Sequence, residues 1–324
     1  MLHYEPKDLS LPEVHKLVLG GIGPRPIALV STLSEDNIPN LSPFSFFNVF
    51  GYNPPVIAFS PARKGRDSSL KDTYHNIIKT KECVVHAVTY SMVEQISLAS
   101  TEYSSDINEF VKSGLTPIDS DIVKPKRVKE SPFQMECKLL QMLSFGEGGG
   151  SANMAICEVV KFHVAEDIFK NGIIHPDLID LVSRMSANFY CRASGSAVFE
   201  VEKPVLKKGI GFDNLPQFMK ESHVYSANNL GKFANVEVIP ADSEVEAFIK
   251  EYKESVMPGF EASEEAFYRY QRNDNYKYML KAALGLLHED HPKKKIFLEL
   301  SAKLALENND SLFAWKTALY SGMI

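Results

Sequence analysis

PRPIALVSTLSEDNIPNLSPFSFFNVFGYNPPVIAFSPARKGRDSSLKDTYHNIIKT (Pro24–Thr80) is the stretch on which the reading of this chain turns. Three strand-like runs are interrupted by two polar, hydroxyl-rich corners, and prolines together with Gly51-Tyr52-Asn53 mark the reversals. ECVVHAV (Glu82–Val88) follows as a further strand. In Ile27–Leu33, strict alternation puts Ile27, Leu29, Ser31 and Leu33 on one face and Ala28, Val30 and Thr32 on the other.

The corners carry the chemistry. In the first, Ser42, Ser45 and Asn48 alternate with Phe44, Phe46 and Phe47 inside a strand read as Asn40–Phe50. Flat apolar rings beside small hydrogen-bonding groups suit a planar heteroaromatic ligand, although a run of phenylalanines is more often plain core. In the second, Ser60, Arg63, Lys64, Arg66, Ser68, Ser69, Lys71 and Thr73 fall within fourteen residues and lead into a helix, with Asp72 or Thr73 as its N-cap. Cations, hydroxyls and free amide groups at a helix start form an anion site suited to phosphate. Lys64 is expected to be solvated surface. Asp72 repels a bare phosphate, so it reads as a cap or an acceptor for a ligand hydroxyl.

The rest of the chain sets bounds. At 324 residues with 44% hydrophobic and 23% charged residues, it is an ordinary globular sequence able to bury a large core. A net charge of −6 argues against nucleic acid or an anionic membrane as the main partner. Cys83, Cys137, Cys157 and Cys191 have no metal-ligand or disulfide spacing, and no signal-peptide or membrane-span pattern occurs, so a reduced, cytoplasmic location is expected.

Further along, a short helix is read at Leu11–Leu19, another at Ser91–Ser100, and a third closed by Gly114. In strand Phe133–Leu139, Phe133, Met135, Cys137 and Leu139 read as inward and Gln134, Glu136 and Lys138 as outward. GEGGGS (Gly146–Ser151) lacks the Lys-Ser/Thr ending of a phosphate loop and reads as a flexible hairpin tip before strand Asn153–Val164. His86 and His163 have no acidic or cysteine partner at a spacing that points to triad chemistry, and both read as structural. Beyond Pro204 the sequence becomes helical. Ser243-x-x-Glu246 reads as a capping box, with Val245, Phe248, Ile249, Tyr252 and Val256 as the apolar face behind it. Helices are also expected at 276–288, 295–306 and 310–320, and HEDHPKKK (His288–Lys295) reads as a solvated connection, not a metal site.

PRPIALVST, NLSPFSFFN, VIAFS and KDTYHNI, continued by the segments 101–140, 156–164 and 195–204, resemble the flavin reductase-like family, whose members bind FMN in a split β-barrel. Several separated motifs in the right order cover about two thirds of the chain, which is far more specific than any single one. The resemblance implies a mainly β, α+β fold: an antiparallel Greek-key split barrel at residues 1–204, with peripheral helices and a helical extension at 205–324. It implies a homodimer with FMN near the interface. Arg25, which by itself reads equally as a surface arginine at a strand start, is placed by the resemblance near the cofactor edge, and Thr32, otherwise a β-favouring strand threonine, becomes a flavin contact. Lys71, Thr73, Ser60 and Arg66 are then expected at the phosphate, Thr32, Ser45 and Asn48 at the ring edge or ribityl chain, and Phe46 or Phe47 as a wall. Where family members often carry Arg-Leu-Gly-Gly, this chain has Arg184-Met185-Ser186-Ala187, which puts a close backbone approach there in question. The implied activity is NAD(P)H-dependent reduction of flavin or another small acceptor. The alternative is an FMN electron carrier that serves a protein partner without using NAD(P)H. A phosphorylated-vitamer oxidase shares the same architecture.

Overall fold

The computed structural model describes residues 1–203, 208–286 and 292–324 and divides into two compact units, Met1–Glu200 and Val201–Ile324. The expected boundary at Pro204 and the start of HEDHPKKK lie outside the described residues.

In the first unit the strands are β1 (Arg25–Pro26), β2 (Ala28–Leu33), β3 (Pro39–Phe44), β4 (Phe47–Tyr52), β5 (Pro55–Phe59), β6 (Glu82–Ala87), β7 (Pro117–Ile118), β8 (Arg127–Val128), β9 (Phe133–Phe145), β10 (Ala152–Val164), β11 (Phe169–Lys170), β12 (Ile173–Ile174), β13 (Val182–Arg184) and β14 (Tyr190–Arg192). Its helices are α1 (Leu11–Gly21), α2 (Asp72–Thr80), α3 (Val93–Ala99), α4 (Glu109–Ser113) and α5 (Pro176–Ile179). Seven strands form one antiparallel sheet in the order β3-β2-β6-β9-β10-β5-β4.

That order carries a geometric consequence. β3 and β4 stand at opposite ends of the sheet, yet only Ser45 and Phe46 separate them in sequence. A flat sheet of this width would hold its end strands roughly 29 Å apart, whereas such a link spans roughly 10 Å. The sheet is therefore rolled so that its ends approach, and among the described residues no ladder closes it. The expected strand Asn40–Phe50 is accordingly two strands broken at Ser45–Phe46. The expectation of a mainly β chain is corrected as well, because helices are substantial in both units and the fold is mixed α and β.

Both faces of β2 are covered, as its alternation predicts. Ala28 and Val30 pack with Phe44, Phe59, Ile77 and Cys137, while Ile27 and Leu29 pack with Leu41, Met92, Phe110 and Val128. On β9 the sequence reading fails at two residues, since Gln134 and Glu136 are buried. Gln134 Nε2 donates to the Val128 and Ser131 carbonyls at 2.9 and 2.8 Å. Glu136 accepts from the amides of Asp121, Ile122 and Val123 and pairs with His163 Nε2 at 2.7 Å. Burial raises the Glu136 pKa, but these donors outweigh it and hold the carboxyl at about 2. His163 therefore has an acidic partner that sequence spacing does not show.

His86 is wholly buried, with Nδ1 2.8 Å from the Leu29 carbonyl and Nε2 accepting from the Val128 amide at 2.9 Å. That pairing fixes a neutral ring with its proton on Nδ1, and burial, partly offset by the Leu29 carbonyl, lowers the pKa from 6.5 to about 4. The folded pKa is depressed, so the unfolded chain takes up the proton first as pH falls. Stability from His86 is complete above about 6.5 and is lost as pH drops toward about 4. Urea midpoints measured across that range should fall in wild type and flatten in His86→Gln; equal slopes would refute this.

The second unit contains α6 (Gln217–Lys220), α7 (Ala227–Ala234), α8 (Asp242–Glu254), α9 (Glu264–Arg272), α10 (Tyr276–Leu286), α11 (Pro292–Glu307) and α12 (Ser311–Met323). It has its own core, centred on Phe233, Phe267, Phe297 and Trp315. The predicted Ser243 capping box does not form: α8 starts two residues earlier, at N-cap Ala241, whose methyl cannot cap, and only the reciprocal bond from its amide to Glu244 Oε2, at 2.9 Å, is present. Val245 and Ile249 are buried as expected, while Val256 lies past the helix end and is exposed. Among the described residues no helix is long and apolar enough to cross a membrane.

Candidate functional site

The two polar corners meet at Phe44 and Lys71. Phe44 ends β3 just before Ser45, and Lys71 Nζ lies 6.0 Å from the Phe44 ring centroid. Lys71, not Asp72 or Thr73, is the N-cap of α2, and no side chain caps that helix start. Asp72 occupies the first helical position, where its carboxylate complements the positive end of the helix. A small cavity opens there, lined by Ser42, Lys64, Lys71, Asp72, Thr73 and Glu102 among others. Burial lowers the Lys71 pKa, with Glu102 opposing the shift. Lys64, expected to be solvated, is half-buried and lines the same cavity.

A buried network fixes the floor. Asn40 Oδ1 accepts from Thr73 Oγ1 at 2.8 Å and lies 3.2 Å from Thr32 Oγ1. Asn76 Nδ2 donates to Thr32 Oγ1 at 3.1 Å, and Asn40 Nδ2 donates to Glu109 Oε1 at 3.1 Å. Glu109 Oε2 also accepts from the Leu41 amide at 3.0 Å. Burial raises the Glu109 pKa against these hydrogen bonds. In this structure Thr32 and Thr73 thus join β2, β3 and α2 to α4, and both are buried. Asn40, Asn76 and Glu109 are not among the residues singled out from sequence. Their partners are 69 residues apart for Asn40 and Glu109, and no local pattern marks such a pair.

The remaining predicted residues separate into groups. Ser45, Phe46, Phe47 and Asn48 stand at the link between β3 and β4; Phe46 and Asn48 are exposed, and Phe47 packs partly on the core. Ser60 is buried beside them, its amide donating to the Phe46 carbonyl at 2.9 Å and its hydroxyl accepting from the Asn153 amide at 3.2 Å. Arg66 is 81% exposed and pairs with Glu102 at 3.7 Å. Arg25 stands apart from the cavity: it is buried, and its Nη1 donates to the Leu19 carbonyl at 2.8 Å and to that of Ile22, while Nη2 donates to the Met185 carbonyl at 2.8 Å. Burial lowers its pKa, and neighbouring Arg184 adds to the shift. In the Met185–Phe189 turn, Ala187 adopts φ +46°, a left-handed conformation reached here without glycine. The Arg184 guanidinium lies over Tyr190, 4.6 Å from its ring centroid.

The glycine-rich tip is docked, not free. The Gly150 amide donates to the Arg63 carbonyl at 3.1 Å, and the Arg63 amide donates to the Ser151 carbonyl at 3.0 Å. A Cβ at Gly149 would stand 2.6 Å from the Gly65 oxygen, so only glycine allows the tip this close to the basic loop. Asp121, Glu136 and His163 bring potential metal-ligand atoms within 4.8 Å of one another. The Glu136 oxygens are already occupied by four donors, and Asp121 pairs with Lys161.

Known structures share this arrangement of strands. Nitrilotriacetate monooxygenase component B from Bacillus cereus is 33% identical with a TM-score of 0.58, the alignment covering 62% of this chain and 98% of that one. The 2-nitrobenzoate 2-nitroreductase of Pseudomonas fluorescens is 26% identical with a TM-score of 0.57, covering 65% and 100%. A Shewanella frigidimarina protein described as a flavin reductase with a split barrel domain is 24% identical with a TM-score of 0.53, covering 62% and 100%, and this likeness speaks to the fold. The sequence itself matches the flavin reductase like domain over residues 21–183, which includes both corners and the strands that hold them. With that match spanning just over half of its 324 residues, the chain belongs to the flavin reductase like family.

Proposed function

We propose that the chain binds FMN where the two corners meet and works as an NAD(P)H-dependent oxidoreductase that reduces free flavin or another small acceptor. Lys71 carries this reading: a half-buried cation at an uncapped helix start, against a ring that leads directly into Ser45–Asn48. Lys64, Lys71 and the Ser42 hydroxyl suit a phosphate monoester, and the exposed Phe46 beside Ser45 and Asn48 suits a flat ring with a polar edge. We read the rolled seven-stranded sheet as the family's split barrel.

When bound, the flavin supplies the capacity to accept hydride and pass electrons on. The chain's own residues bind and orient. Lys71 and Lys64 hold the phosphate, with Arg66 at the rim; Ser45 and Asn48 orient the polar edge; Phe46 shields one side from water. Thr32 and Thr73 act through the buried network that keeps β3 and α2 in register. Lys71→Ala should weaken FMN binding by roughly 1.5–3 kcal/mol in a fluorescence titration if the ammonium makes a charge-assisted contact. Unchanged affinity would remove Lys71 from the site.

The decisive experiment is anaerobic addition of NADH and then NADPH to the FMN-loaded protein while flavin absorbance is followed. Bleaching within seconds supports the reductase. Reduction by dithionite alone would favour the electron carrier. A protein that takes up no FMN would refute both.

The dimer belongs to the same proposal. β4 ends the sheet and presents exposed Phe46, Val49, Phe50 and Tyr52, the last 94% exposed. An edge strand bearing that much apolar surface calls for a cover, and a second copy supplies one. Sedimentation equilibrium should give twice the 36.3 kDa chain mass; a monomer at micromolar concentration would contradict this.

A further inference from the structure

We propose that Glu102 is a built-in competitor for the phosphate site, its carboxylate standing beside the cations until a phosphate monoester displaces it. The inference rests on the FMN reading above and adds to it a determinant of ligand choice.

Three segments of the chain line the cavity. Two walls are fixed: Asn40 and Ser42 lie on β3, Lys71–Thr73 begin α2, and the Thr73–Asn40 and Asn40–Glu109 hydrogen bonds tie these elements together. The third wall is Ser100–Tyr103, of which Ser100, Thr101 and Glu102 are exposed. Its backbone bonds are local: Thr101 to Leu98 at 3.1 Å and Tyr103 to Thr101 at 2.9 Å. Beyond these bonds it is held by the Glu102–Arg66 pair at 3.7 Å, and exposed pairs of this kind are weak. The third wall is the one with the weakest ties to the rest of the unit.

Its charge is the one an arriving anion must replace. Glu102 faces Arg66 directly and acts on Lys71, opposing the burial that lowers the Lys71 pKa. Without ligand, Glu102 thus offers its charge to Arg66 and, together with Asp72 at the start of α2, acts on Lys71. A phosphate monoester carries about −1.5 to −2 charges and three acceptor oxygens, so it outcompetes a single carboxylate. Riboflavin, which ends in a neutral hydroxyl, has nothing to exchange for Glu102.

The test compares Glu102→Gln with wild type in parallel titrations of FMN and riboflavin, with matched thermal melts to confirm folding. FMN affinity should rise about 2- to 5-fold in Glu102→Gln, as expected for removal of one weak competing ion pair, while riboflavin affinity stays unchanged. Unchanged or weakened FMN binding by the variant overturns the inference. An equal gain for both ligands also overturns it, since that signals a loosened loop and not a removed charge. Wild-type protein that binds no FMN would instead defeat the underlying site reading, whatever Glu102 does.

Discussion

Glu109→Ala should lower the unfolding free energy by roughly 2–5 kcal/mol in urea denaturation followed by far-ultraviolet circular dichroism. The carboxylate is 6% exposed at the first position of α4 and accepts from the Leu41 amide and Asn40 Nδ2. Alanine strands both donors inside the protein, and a buried donor without a partner costs ~1–3 kcal/mol. Part of that loss is returned, because burial raises the Glu109 pKa and a costly buried charge disappears with the side chain. The same substitution frees Asn40, which holds Thr73 at the start of α2, so FMN affinity should fall together with stability. Glu109→Gln keeps one acceptor oxygen and should retain more of both. A loss below ~1 kcal/mol in the alanine variant would show that the network does not organise this corner.

Trp315→Ala should cost the second unit roughly 3–5 kcal/mol. Trp315 is 1% exposed, its Nε1 donates to the Phe233 carbonyl at 3.1 Å, and its ring meets Phe233 edge-on at 5.3 Å. Phe233 in turn meets Tyr225 at 5.2 Å, so removing the indole opens a cavity beside an aromatic stack and leaves a buried carbonyl without its donor. Trp315→Phe preserves most of the apolar contact and should lose less than half as much. Trp315 is the chain's single tryptophan, so circular dichroism must replace tryptophan fluorescence as the probe. A variant that melts like wild type would show that this core does not depend on its largest side chain.

Several elements are legible in the residues alone. The two faces of β2, α1 from Leu11, the closure of α4 by Gly114 at φ +67° and the hairpin around Gly146–Ser151 all follow from short-range pattern. Residue type is also informative at the corners, where Lys71 and Ser42 do line one cavity. Local pattern misleads where a polar residue's partner is distant in sequence. Gln134 and Glu136 alternate as a solvent-facing row should, yet segments 121–123 and 127–131 fold over them and supply their hydrogen bonds. Lys64 looks like one more surface charge until the loop turns it toward Lys71. Thr32 and Thr73 read as ligand contacts from their residue type and the family resemblance, whereas the structure engages both hydroxyls through Asn40.

By itself, the sequence determined most of the strands and helices and the family, because periodicity, caps and turn residues act over a few positions. Tertiary structure alone decided that the sheet rolls until Ser45 and Phe46 can bridge its ends, that Glu109 accepts from Asn40, and that Glu102 lines the same cavity as Lys71. Those outcomes depend on which distant groups can satisfy one another's buried hydrogen bonds and charges, and only the closed chain brings those groups within reach.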